Sequence, residues 1–313
     1  MKKMIYSALF SSTFLFLLLF PEKGIRSAAD GLLLWYRILL PTLLPMMIIS
    51  GVLLQSGIAA LLAQPLYRLT GPALHLSANG TYALIIGFLC GFPMGVHALS
   101  ELRKRQQISE NEAVYLAAFC NNVSPAFLQG YVLHRHMAGL IPVFWVLLIV
   151  YGSPLFYGLL TNVMYRKKNH ARTKPQVFLQ AKNKTSLTAP DFAMIDVSII
   201  NGIHNITKIG GYIILFSVFS SMLNLLPPQL SLIKSSLIGI TEITTGIHEL
   251  SLLHIPQSLK YILLLDAAAF GGLCAIGQSK VMLDEIGITL AQYLRARATI
   301  TGIATLLAAV CIR

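Results

Sequence analysis

The sequence predicts an all-helical, polytopic membrane protein with about seven spans, two re-entrant or broken segments and an inverted internal repeat. Three observations carry this. The 313 residues are 55% hydrophobic and only 12% charged, with a mean hydropathy of +0.69, far above a soluble domain of this size. Long apolar runs recur from end to end, so one membrane domain fits better than two soluble ones. A shift of 151 positions lays Gly95-Val96-His97 on Gly246-Ile247-His248, Leu99-Ser100 on Leu250-Ser251, and Ala117-Ala118-Phe119 on Ala268-Ala269-Phe270. Three clusters at one offset indicate duplication.

Taken in order, Met4 to Phe20 after the initial MKK reads as an uncleaved first span, or as a signal peptide cut near Ser27 to Ala29. Residues 31–57 follow, with Pro41 and Pro45, long enough to cross a core of ~30 Å. A polar, turn-rich loop is expected over 59–80. Residues 82–99 are apolar but broken by GFPMG, and 232–250 are broken by TEITTG. Between them lie the apolar segments 114–133, 137–161 and 210–226, and after them 261–278 and 292–312. The basic run YRKKNHARTKPQVFLQAKNK separates the halves. The expected division is 1–30, an N-terminal span or signal-like segment with a short loop; 31–164, a first repeat; 165–192, a basic cytoplasmic linker; and 193–313, a second repeat.

Charge tests the topology. The formal charge of +12 sits in short loops between apolar runs, the mark of cytoplasmic loops rather than of a nucleic-acid face, because no basic face is interleaved with stacking aromatics. If both broken segments dip in and return, each half crosses three times and the second is inverted. An N-terminus inside then puts Arg103-Lys104-Arg105, the 165–184 cluster, Lys280 and Arg295 in the cytoplasm. Lys23, Arg26, Arg135, Lys234 and Lys260 go to the opposite side. Full crossings would make the repeats parallel and move Arg103 to Arg105 outside.

The stretch AFCNNVSPAF puts Asn121, Asn122 and Ser124 into an oily segment. Stranding an amide in hydrocarbon costs several kcal/mol, so both side chains must face protein, water or solute. Pro125 frees the carbonyl of Asn121. A solute site and an interhelical polar contact are both open. GFPMG, with Gly91, Pro93 and Gly95, suits either a re-entrant tip or a kinked helix packed through Gly87, Gly91 and Gly95. In TEITTG, Thr241, Glu242, Thr244 and Thr245 precede Gly246. Glu242 can take a proton, a sodium ion or a cationic group, or sit in a loop at the interface. Asp266, inside YILLLDAAAF, reads equally as an ion-coupling residue or a helix-packing contact.

His97 and His248 are repeat-related, while His134 and His136 read as solvated loop residues. No His or acid cluster has metal spacing, the four cysteines lie in or at the end of apolar segments without CxxC, and GxSxG, HExxH and phosphate loops are absent from the sequence. Neither an enzyme, a metal nor a cofactor is expected. The expected partners are the bilayer, a small-molecule solute and a coupling ion, sodium or proton; oligomerisation is open.

FPE at 20–22, PTLLPMMIISGVL at 41–53, GFPMG, ISENEA at 108–113, FCNNVSP, GGYIILFS at 210–217, EITTGI and FGGL together resemble the integral membrane proteins of spore-forming Firmicutes that contain nucleoside-recognition (Gate) domains. In particular they resemble the sporulation integral membrane protein family of the spore-cortex stage. The resemblance implies an inverted-repeat fold similar to concentrative nucleoside transporters and a multi-pass place in the cell membrane or a forespore membrane. It also implies transport of dipicolinic acid, with Gly91, Pro93, Gly95, Asn121, Asn122, Ser124, Glu242, Thr244, Gly246 and Gly271 at the central site. A nucleoside-like solute is the other expectation, and a non-transporting member of a sporulation assembly is the alternative.

Overall fold

A computed structural model describes residues 2–137, 141–170 and 188–312. Among these every regular element is a helix. The first half runs α1 (Lys2–Leu19), α2 (Pro21–Leu34), a π-helical turn Trp35–Leu39, α3 (Leu40–Ser56), α4 (Ile58–Leu74), α5 (Ala78–Leu89), α6 (Met94–Lys104) and α7 (Glu110–Ala117). A short α8 (Pro125–Phe127) then leads into a π-helical segment, Leu128–His136, followed by α9 (Val143–His170). The second half runs α10 (Phe192–Leu223), α11 (Ser231–Thr241), α12 (Ile243–Ser251), α13 (Gln257–Phe270), α14 (Gly272–Ile286) and α15 (Leu290–Cys311).

Among the described residues four segments are long and apolar enough to cross a membrane: Val143–Tyr165, Phe192–Leu223, Gln257–Ile286 through α13 and α14, and Leu290–Cys311. Two bent pairs raise the number to six, Ser7–Leu19 with Pro21–Leu39 at 112° and Leu43–Ser56 with Ile58–Leu74 at 93°. This is fewer than the seven expected, because the interruptions leave short pieces. α5 has 12 residues and α11 has 11, and at the helical rise neither reaches across ~30 Å.

Two expected loops are helical. PEKGIR begins α2, with Pro21 in its first turn and Glu22 near its positive end, both favourable for a helix start. Residues 58–74 form α4 despite Pro65 and Pro72, and Leu61, Leu62, Leu66 and Leu69 stay exposed as a lipid-facing surface would. The basic linker is seen only at its ends. α9 continues to His170, and residues 171–187 lie outside the described residues.

Four interruptions organise the molecule. α5 and α6 are separated at Gly91, with φ of +86°, and the cis Phe92–Pro93 bond. α7 and α8 are separated by the non-helical residues 118–124. α11 and α12 part at the extended Glu242, and α13 and α14 at Gly271 and Gly272, with φ of +86° and +79°. The order of elements is the same in both halves: two interrupted pairs, then a long helix. The core is built across the halves. α14 packs with α6 and α7, α12 and α13 pack with Leu128–His136, and α13 packs with α9.

Candidate functional site

The loop 118–124 is held by the backbone of the neighbouring hairpin. Asn122 N donates to the Gly87 carbonyl at 3.3 Å, and Gly87 and Gly95 approach so closely that a Cβ on either would strike the Cys120 carbonyl. Only glycine permits this contact. Gly91 lies against Ser124, whose hydroxyl caps α8 by accepting from Phe127 N at 3.2 Å. The predicted residues Gly91, Pro93, Gly95, Asn121, Asn122 and Ser124 thus share one contact region, in which Pro93 forms the cis bond of the break.

Both asparagines are buried, Asn121 at 0% and Asn122 at 2% exposure. Asn121 Nδ2 donates to Ser279 Oγ at 3.2 Å and to Tyr293 Oη at 3.1 Å, while Asn122 Nδ2 donates to the Phe119 carbonyl at 2.9 Å. Asn121 Oδ1 is buried with no hydrogen-bond partner.

Arg297, on α15 and wholly buried, also joins the halves. Its Nη1 donates to the Asn121 carbonyl at 2.8 Å and to Asn122 Oδ1 at 3.2 Å. Its Nε donates to the Phe270 carbonyl at 3.2 Å, its Nη2 donates to the Ala269 carbonyl, and the guanidinium stands 5.1 Å from the centre of the Phe92 ring. Among the described residues no carboxylate pairs with it. The cation is offset instead by carbonyl dipoles at the C-terminal end of α13, where the helix is partially negative, and by the face of an aromatic ring. Sequence reasoning placed Arg295 on the cytoplasmic side and missed Arg297, Tyr293 and Ser279. The available signal was an arginine just inside the apolar segment that begins at Gln292.

The second-half prediction divides. Glu242 is 3% exposed and caps α12: Oε1 accepts from Thr244 N at 3.0 Å, and Oε2 from Thr245 N at 2.7 Å and Thr245 Oγ at 2.8 Å. It is buried rather than at a water interface, and among the described residues no cation pairs with it. Thr241 donates to the Leu237 carbonyl at 2.8 Å, the Thr244 carbonyl accepts from Tyr131 Oη at 2.9 Å, and Gly246 lies backbone to backbone with Gly239. Asp266 Oδ1 accepts from Thr305 Oγ at 2.9 Å, tying α13 to α15 away from Arg297. The two clusters meet at one hinge, for Gly271 packs on Phe92 and Gly272 on the backbone of Glu242.

The junction is closed. A polar cavity of about 20 Å³ lies between α3, α6 and α10, lined by residues including Gln55, His97, Glu101, Ser198 and Asn201. An open groove follows Ile200 to Lys208 on α10. Neither is lined by a junction residue. Among the described residues no group of three or more metal-ligating side chains is present.

Residues 36–138, which contain the Gly91 break and the asparagine loop, match the family described as nucleoside recognition (Gate). The chain is 27% identical over 326 aligned positions to the sporulation integral membrane protein YlbJ of Bacillus subtilis (strain 168), covering 94% of this chain and 79% of the relative. The resemblance read from the motifs therefore holds, and the chain is a multi-pass membrane protein similar to a sporulation protein. No solved structure matches it.

Proposed function

We propose that the protein is a secondary carrier that moves a small polar or anionic metabolite across a membrane of a spore-forming cell. Dipicolinate and nucleoside-like solutes are the first candidates. The observation that carries this reading is the meeting, deep in the fold, of interrupted helices from both halves around a guanidinium with no carboxylate partner among the described residues. Interrupted helices at mid-depth are how carriers expose backbone groups to a solute. Asn121 Oδ1, buried without a donor, is an acceptor left available in the closed form.

In this reading the halves are inverted repeats with about seven crossings, α5–α6 and α11–α12 being re-entrant pairs. Gly91, Pro93, Gly95, Asn121, Asn122, Ser124, Gly271 and Arg297 form the solute side of the hinge. Thr241 to Gly246 form its other side, with Glu242 or Asp266 as sites for a coupling ion, sodium or proton. Residues 31–164 and 193–313 are the two repeats.

Uptake into proteoliposomes tests the site. Asn121→Ala and Asn122→Ala are expected to abolish flux of dipicolinate or nucleoside while the protein remains monodisperse, and flux at the wild-type rate would end the assignment. One observation favours a second reading, a non-transporting component of a sporulation membrane assembly: no described cavity reaches the sealed asparagines. That reading expects no flux from purified protein and sensitivity concentrated in loops such as 165–184.

A further inference from the structure

The two halves are also tied at two places away from the junction, and the ties correspond. On α6, Ser100 donates to Glu285 of α14, and Lys104 reaches Glu285 at 3.2 Å and Glu101 at 3.4 Å. On α12, at the repeat-related position, Ser251 meets His136 of the Leu128–His136 segment at 3.0 Å, and His248, the counterpart of His97, lies 5.7 Å from the His136 ring. In each case a helix following the first interruption of one half grips the segment following the second interruption of the other.

The ties lie at opposite ends. The Tyr261 hydroxyl donates to the carbonyl of Met137, next to His136, at 3.2 Å. From Tyr261 to Glu285 the Gln257–Ile286 span rises about 36 Å, which exceeds a hydrocarbon core of ~30 Å.

Their chemistry differs. The Glu285 tie is acid against base. At the other end Ser251 gives its only proton to the His248 carbonyl, at 2.7 Å, so its oxygen must accept from Nδ1–H of His136. That tautomer leaves a lone pair on His136 Nε2, which is buried without a partner. A second proton would then create a buried donor facing no acceptor and a cation beside His248. Around this ring α12 brings His248, with Glu249 beside it and Glu242 engaged at its own helix terminus. α13 brings Tyr261, preceded by Lys260; the segment itself brings Tyr131, at 4.7 Å, Arg135 and His134. From Val143 to Tyr165, α9 carries no Asp, Glu, Lys, Arg or His.

We propose that His136 is a proton-binding site whose protonation releases the Tyr131–His136 segment from α12 and opens this end of the molecule alone. Burial first, then His248 and Arg135, hold the imidazole below its ordinary pKa in the closed contact. The open form therefore binds the proton more tightly, and acidification favours opening. The inference rests on the carrier reading for its meaning, since the two ends are then the two gates.

Hydrogen–deuterium exchange on the full chain in nanodiscs tests it. After correction for intrinsic exchange, peptides from 128–136 and 243–251 are expected to lose protection at least about threefold between about pH 8 and about pH 5.5, while 94–104 and 272–286 do not. His136→Gln, which keeps a donor for Ser251, is expected to abolish the response. His248→Gln is expected to move its midpoint to higher pH. Wild-type protection that ignores pH, or a His136→Gln protein with the wild-type response, overturns the proposal; if that variant does not fold, an unmoved midpoint in His248→Gln does so. Intact uptake with flat exchange would remove only the switch. Absent uptake with a pH-dependent release would remove only the carrier.

Discussion

Arg297 and Glu242 are both ionisable, both buried, and both close to the Gly271–Gly272 hinge, yet they are satisfied in opposite ways. Glu242 finds all its partners within three residues, at the N-terminus of the helix that it caps. Arg297 finds none nearby in sequence, and its partners come from the asparagine loop of the first half and the end of α13. The first charge stabilises one helix. The second holds the relative position of two interrupted segments, so disturbance there should reach both halves.

The largest effect is expected at Arg297. Arg297→Leu leaves the acceptors of Asn121, Asn122, Ala269 and Phe270 unpaired, and should lower stability in detergent by about 3 kcal/mol or more. Arg297→Lys should recover only part of this, because an ammonium cannot reach all four acceptors in the guanidinium geometry. Melting curves superimposable on wild type would erase the contrast with Glu242. Gly271→Ala comes next. It combines φ of +86° with a collision against Phe92, and a loss of about 2 kcal/mol is expected. Gly211→Ala, where no heavy atom lies within contact of the new carbon, should be neutral or stabilise by up to about 1 kcal/mol.

Glu242→Gln sharpens the comparison. Loss of the charge at a helix N-terminus should cost about 1 kcal/mol, and a double-mutant cycle with Arg297→Leu should show coupling below about 0.5 kcal/mol if the cap is as local as it looks. Strong coupling would mean that the two charges sense each other through the hinge. Asp266→Asn should have the smallest destabilising effect. Its one described contact, with Thr305, is an interhelical hydrogen bond of the kind worth about 0.6 kcal/mol. Unchanged uptake in this variant would favour the packing role, and lost uptake the coupling role.

Much of this was legible one segment at a time. GFPMG, TEITTG and FCNNVSP announced three of the four interruptions, because glycine, proline and side chains that compete for backbone groups act within a turn or so of where they stand. The fourth was hidden: FGG inside an otherwise apolar run read as continuous helix. Residues 58–74 were misread for the converse reason. Their prolines and polar residues suggest a loop, but a membrane helix keeps proline when its surroundings satisfy the freed carbonyls. His136 read as a solvated loop residue because nothing local announces His248 and Ser251 across from it.

Hydropathy and turn chemistry are local sums, so the sequence by itself determined that the chain is helical, lives in the membrane and is interrupted at Gly91, Asn121–Ser124 and Glu242. It also demanded partners for every polar group placed in oil. Which partners was decided only by the tertiary structure, because the satisfaction of a buried charge depends on which distant segments meet it. Arg297 required acceptors wherever it went, and only the crossing of α15 with the asparagine loop and the end of α13 supplied them.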